Sequence, residues 1–185
     1  MKIRCFFIIS VVLTLLFISS MLGCSKTNND IVSSATSSST NPIITAVVES
    51  TKVYEPVWIE PVIEDGIASI PLNVVQQNII LHFKLQTDAN TETFMSYIYD
   101  GKLYVRADNC VPCRSIKFAL KGNQLICMSC NTTFNAVTGI GEGSVGSASC
   151  RAYPKESSAY EIKDGQLVMK VSDLHKAFQD TLQQG

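Results

Sequence analysis

Two Cys-x-x-Cys pairs, Cys110/Cys113 and Cys127/Cys130, stand thirteen residues apart. A pair at this spacing forms a chelating turn, and two such pairs bring four thiolates to one centre. Soft thiolates select zinc, iron or an iron-sulfur cluster over hard, oxygen-seeking cations. A fifth cysteine, Cys150, follows the glycine-rich run 139–146. It can approach the same centre as a spare ligand, a replacement ligand or a thiol hydrogen-bonded behind the ligands. Those glycines suit backbone amides that come close to sulfur and stabilise its charge.

Other chemistry fits the same residues. Two disulfides with Cys150 left over suit an exported chain, although the odd count argues against them. Four cysteines in two pairs also describe a structural zinc site. Cys110-Val-Pro-Cys113 has the form of a dithiol redox pair, but no Trp precedes it and a hairpin pattern, not a long helix, follows. Of the two histidines, His82 alternates with apolar neighbours and reads as the polar face of a strand, and His175 reads as a solvated residue of the last helix. Trp58, between Pro56 and Pro61, reads as a packing residue on irregular chain. No nucleophile triad, His-Glu-x-x-His motif or phosphate loop is present, so hydrolysis and nucleotide binding have no candidate residues and the chain reads as a non-enzyme.

The elements that must position these cysteines begin with an export signal. Lys2 and Arg4 open the chain, residues 6–17 are almost unbroken apolar sequence, and Met21-Leu22-Gly23-Cys24 follows. This order describes a secretory signal peptide over residues 1–23. The Gly-Cys ending resembles a bacterial lipobox with Cys24 as the lipidated first mature residue; the alternative is a retained membrane span over residues 5–23. Residues 25–42 hold six Ser, three Thr and three Asn and cannot bury enough surface to order themselves. Residues 24–45 therefore read as a lipid-anchored tether of about 25 Å reach, and residues 46–185 as one domain outside the cytoplasm. Without Lys2 and Arg4, thirteen Lys and Arg face sixteen Asp and Glu, with no basic run, which argues against nucleic acid as a partner. The membrane is the partner that the anchor names.

Within that domain the pattern is antiparallel sheet. Residues 94–99 and 102–106 flank Asp100-Gly101, and residues 160–163 and 166–171 flank Asp164-Gly165, each an alternating pair around a type I′ dipeptide. Residues 116–120 and 124–127, joined by Lys121-Gly122-Asn123, predict a third hairpin between the cysteine pairs. Residues 79–86 alternate as a half-buried strand. Residues 173–182 predict a short C-terminal helix with Ser172 as N-cap and Leu174, Phe178 and Leu182 on one face. The fold class is all-β or β-rich, with hairpins forming a small Rieske-like or zinc-ribbon-like domain. Ile116, Ile126, Met128 and Phe134 are the expected apolar shield, and Val111-Pro112 and Met128-Ser129 the exposed tips. Asn131 tolerates the left-handed backbone wanted after its turn, and Arg114 suits it less.

From Arg106 to about Leu174 the chain resembles the FtrD-like membrane iron-sulfur proteins. The elements that carry the likeness are Cys110-Val-Pro-Cys113, a hairpin, Cys127-Met-Ser-Cys130, Phe134, and the glycine-rich run leading to Cys150. Ser149-Cys150-Arg151-Ala152 departs from that family's Gly-Cys-Asn-Pro. The arrangement is also similar to the Rieske cluster-binding domain, but neither histidine lies in the cysteine loops. The resemblance implies an iron-sulfur cluster, 2Fe–2S or another type, that transfers electrons beside an iron permease or other redox partner in membrane iron uptake. The competing reading is a non-redox binding lipoprotein stapled by zinc or disulfides.

Overall fold

Three Asp-Gly dipeptides, Asp65-Gly66, Asp100-Gly101 and Asp164-Gly165, take positive φ at both residues, between 48° and 75°. That is the backbone of a type I′ turn, and each closes an antiparallel hairpin. The computed structural model describes residues 44, 46–87 and 90–183. The proposed signal peptide, Cys24 and the tether, apart from Ile44, lie outside the described residues.

The strands are β1 (Val53–Tyr54), β2 (Val57–Trp58), β3 (Val62–Glu64), β4 (Ile67–Pro71), β5 (Ile80–Gln86), β6 (Thr91–Tyr99), β7 (Lys102–Ala107), β8 (Phe118–Lys121), β9 (Gln124–Cys127), β10 (Thr133–Asn135), β11 (Gly141–Glu142), β12 (Glu161–Lys163) and β13 (Gln166–Lys170). Helices α1 (Leu72–Asn78), α2 (Ala148–Arg151) and α3 (Val171–Gln183) complete the described chain. The strands form three sheets, ordered β1-β8-β9-β10-β11, β12-β13-β4-β3 and β2-β5-β6-β7. All pairs are antiparallel except β2 with β5. The fold is β-rich with a C-terminal helix, as the patterning predicts.

Strand β6 is buried along almost its whole length because it serves two cores. Phe94 and Ile98 face one core, shared with Phe83, Leu167 and Phe178 of α3. Met95 and Tyr97, on the opposite face, join Ile80, Phe118, Leu125 and Phe134 in a second core that also holds Cys110, Cys127 and Cys150. The cysteines are thus built into the roof of the central sheet.

This second core corrects one reading. The 79–86 strand alternates as expected, but its other face is covered by the β8–β9 side, so His82 is fully buried, not a solvent-facing residue. Trp58 lies on the short strand β2 and sets its edge against His82, with ring centroids 5.2 Å apart. Helix α1 was not legible in the pattern, and α3 starts at Val171, two residues before the expected start. The hairpin between the cysteine pairs closes in register Lys121 to Gln124, so its turn is Gly122-Asn123. His175 is exposed on α3, as expected, and its Nδ1 lies 2.7 Å from Oε1 of Glu92, a fully buried carboxylate.

Candidate metal centre

The two Cys-x-x-Cys segments fold into the same turn from different sequences. The N–H of Arg114 donates to the Cys110 carbonyl (2.7 Å), and the N–H of Asn131 donates to that of Cys127 (2.9 Å). The N–H of Cys110 donates to Ser115 (2.8 Å), matched by Cys127 to Thr132 (2.9 Å). Arg114 and Asn131 both take φ +57. Left-handed backbone is ordinary for Asn and uncommon for Arg, so at Arg114 the turn's hydrogen bonds override the residue's own preference. Hairpin β8–β9 joins the turns, with Phe118 opposite Cys127.

All five sulfurs meet, and none is joined in a disulfide. Cys110 Sγ lies 3.9 Å from Cys130 Sγ, Cys113 lies 3.7 Å from Cys127, and Cys130 lies 3.8 Å from Cys150. The mutually close quartet is Cys110, Cys113, Cys130 and Cys150, every sulfur within 4.8 Å of the others. Cys127 falls outside that quartet yet touches Cys113. Cys150 reaches the group from α2, and its position across the fold was not legible from spacing alone.

Proton distribution follows the contacts. Cys127 is brought down to about 4 by its contact with Cys110, helped by the backbone N–H groups of Cys130 and Ser129 and by Ser115, against burial. Its neighbour Cys110 is pushed up, first by Cys127 and then by burial, so of this touching pair one is thiolate and the other thiol. Burial raises Cys113 to about 11. For Cys150 burial opposes ionisation, but contacts with Cys110, Ser147, Cys130 and Cys113 outweigh it and lower its pKa.

Beneath the sulfurs lie charged groups that sequence reading missed. Lys155 is fully buried. Its Nζ donates to the carbonyls of Asn109 (2.6 Å) and Tyr153 (2.9 Å) and stands 4.5 Å from the centre of the Phe134 ring. Burial pulls the Lys155 pKa down, opposed by Cys110, Asp108, Cys127 and Cys150. A buried ammonium persists where donors are satisfied and opposite charge is near, and this one has Cys127 and Cys150, the two sulfurs shifted toward the thiolate, within its field. Asp108 is also fully buried, with Oδ2 2.7 Å from His82 Nδ1; burial raises its pKa in spite of His82 and Lys155. Arg106 donates through Nε to the Tyr97 hydroxyl (2.9 Å), through Nη1 to the Lys155 carbonyl (2.6 Å) and through Nη2 to the Val137 carbonyl. Tyr97 in turn donates to Ala136. This fork fastens the glycine-rich side of the site to the central sheet.

The close approaches at the glycines are to that fork and to the second turn. A Cβ at Gly139 would lie 2.2 Å from the Lys155 carbonyl oxygen and 2.6 Å from Arg106 Nη1, at φ +77; at Gly146 it would lie 2.4 Å from backbone atoms of Thr132. Thr132 Oγ1 sits 3.1 Å from Cys130 Sγ. Gly139→Ala therefore adds overpacking to left-handed strain, together about 3 kcal/mol. Thermal unfolding of that variant should come about 10 °C lower; an unchanged midpoint would mean that this loop is not held as described.

The expected shield is only partly right. Phe134 is fully buried, Ile116 and Ile126 are half-buried, and Met128 is exposed; Phe118 takes the place given to Met128. Pro112, Met128 and Ser129 are exposed at the loop tips, as expected, and Val111 is half-buried. Cys110, Cys127 and Cys150 beneath them are buried. A set of five soft sulfur donors, four of them within 4.8 Å of one another and packed in one cluster with Phe118 and Phe134, fits a thiophilic metal better than a hard oxygen-seeking cation. Among the described residues no helix is long and apolar enough to cross a membrane.

No curated protein matches the chain. Among solved structures it is similar to a chain of the complex of reduced oxygenase and oxidized ferredoxin in carbazole 1,9a-dioxygenase, at 17% identity and a TM-score of 0.38, over 49% of this chain and 80% of that one. Residues 75–180, which contain both cysteine turns, Cys150, Lys155 and the Arg106 fork, match the membrane iron-sulfur containing proteins described as FtrD-like, and the chain belongs to that family.

Proposed function

We propose that this protein is a lipid-anchored, extracytoplasmic electron carrier that serves membrane iron uptake through an iron centre bound by Cys110, Cys113, Cys127 and Cys130, with Cys150 in reach. The observation that carries the reading is the union of five unbonded thiols under two exposed loop tips in a chain of an iron-sulfur family. When bound, the iron supplies one-electron chemistry. The chain's own residues set the conditions for it. Phe118 and Phe134 keep water from the inner side, the amides of Ser129 and Cys130 stabilise charge on Cys127, and Lys155 sets a fixed cation beneath the sulfurs. The tips at Pro112 and Met128 give a redox partner or an iron permease a short approach to the sulfurs. No arrangement for substrate turnover is needed for that role.

The test is optical. Protein purified from its own membrane should absorb in the visible, bleach with a small reductant and recover on reoxidation without unfolding. Colourless protein carrying zinc would remove the carrier and leave a metal-stapled binding lipoprotein.

The anchor has its own test. Cys24→Ala removes the sulfur to which lipid would be attached, so fatty-acid labelling should fall to background while the wild type labels strongly. Two or three acyl chains hold a protein stably, one only marginally. An unlabelled wild type would refute the lipid anchor while leaving the metal centre untouched.

A further inference from the structure

The spacing of the sulfurs limits what they can hold. Two thiolates on one tetrahedral ion with metal–sulfur bonds of about 2.3 Å stand about 3.8 Å apart, and never more than about 4.6 Å. Within the quartet two contacts are 3.8 and 3.9 Å and no pair is separated by more than 4.8 Å, near that ceiling, and Cys127, outside it, lies 3.7 Å from Cys113. A two-iron cluster divides its four protein ligands between two metals, and sulfurs on opposite irons are then separated by the additional width of the iron–sulfide ring. Larger clusters spread their ligands further. The group described here has no such division: Cys130 touches Cys110 of the first turn and Cys150 of α2, and Cys113 of the first turn touches Cys127 of the second.

We infer that these thiols form a site for a single metal ion, and that its fourth sulfur position is shared by Cys127 and Cys150. The inference rests on the proposal that the thiolates bind metal, and narrows it to one ion. Cys150 completes the mutually close set with Cys110, Cys113 and Cys130 and lies 3.8 Å from Cys130, while Cys127, outside that set, lies 3.7 Å from Cys113 and is the second sulfur at hand for the fourth position. Both are buried, so neither is an exposed bystander. A four-coordinate ion takes one of them as its fourth sulfur and leaves the other beside it, unbound. The two arrive on independent elements, Cys127 at the end of β9 and Cys150 on α2, which Thr132 secures by accepting the Ser147 N–H at 2.9 Å.

The experiment measures metal and acid-labile sulfide in the full-length protein extracted from membranes, and in Cys127→Ser, Cys150→Ser and the double variant. One metal ion per chain with no labile sulfide is the expected result. Two or more irons with matching sulfide overturn the single ion and leave the electron carrier standing. One zinc per chain bears out the single-ion site and removes the carrier. Metal-free wild type overturns both. Each single variant should keep one ion, with a shifted visible spectrum for iron or for substituted cobalt, and the double variant should lose it. A metal-free single variant, folded or not, overturns the shared fourth position.

Discussion

Cys110→Ser, Cys113→Ser and Cys130→Ser each empty the metal centre. These three sulfurs come from both turns and belong to the mutually close quartet, and unlike the fourth position, shared by Cys127 and Cys150, none of the three has a substitute sulfur. Because thiolates that converge here do so only in the folded chain, metal affinity is also folding energy. A centre about a thousandfold saturated contributes about 4 kcal/mol of stability, and its loss should lower the melting midpoint by roughly 8–16 °C. Metal analysis and calorimetry on protein made under reducing conditions check the two effects together. Full occupancy in any of the three variants would remove that residue from the site. Chelation of the wild type should reproduce the same loss of stability without any mutation, which separates the metal's contribution from that of the side chain.

Lys155→Met removes the buried cation while retaining a side chain of similar length and flexibility. The thiolates then lose a buried compensating charge, with two signed consequences. The more negative, reduced state of the centre is disfavoured, so the reduction potential falls; a tenfold change in the redox equilibrium corresponds to about 59 mV for one electron. The cysteines also become harder to ionise, so protons compete better for them and metal is released on acidification at a higher pH than in the wild type. The carbonyls of Asn109 and Tyr153 lose a donor, a further destabilisation of about 1–3 kcal/mol for each group left unsatisfied. A purely structural lysine would show only the last effect. Spectroelectrochemical titration and a pH series of metal release discriminate, and an unmoved potential together with an unmoved release midpoint would end the electrostatic role. Lys155→Arg, if it folds, should return both values toward the wild type.

Much of this protein is written in short-range chemistry. The Asp100-Gly101 and Asp164-Gly165 turns, the alternation of β6 and β7, and the amphipathic face of α3 depend on residues only a few positions apart. Asp65-Gly66 carried the same signal and closes β3 onto β4 in the same way. The cysteine turns were legible for the same reason, since each is closed by hydrogen bonds between residues four and five apart. The likeness to the FtrD-like proteins was carried by those turns, Phe134 and the glycine-rich run leading to Cys150, and residues 75–180 bear out the family.

Tertiary structure alone decided which groups surround the sulfurs. Lys155 reaches Asn109 across forty-six positions, and Arg106 reaches its carbonyl across forty-nine. Charged side chains carry a strong expectation of solvent, so their burial follows from partners that no local pattern announces. His82 was misread for the same reason: strand periodicity separates two faces, but only the packing of β8–β9 over one of them makes both interior. Cys150 shows the limit most directly. Spacing placed it near the site, but its contact with Cys130 depends on how α2 returns across the second turn, through Gly146 packed against Thr132, a geometry set by close packing between distant segments.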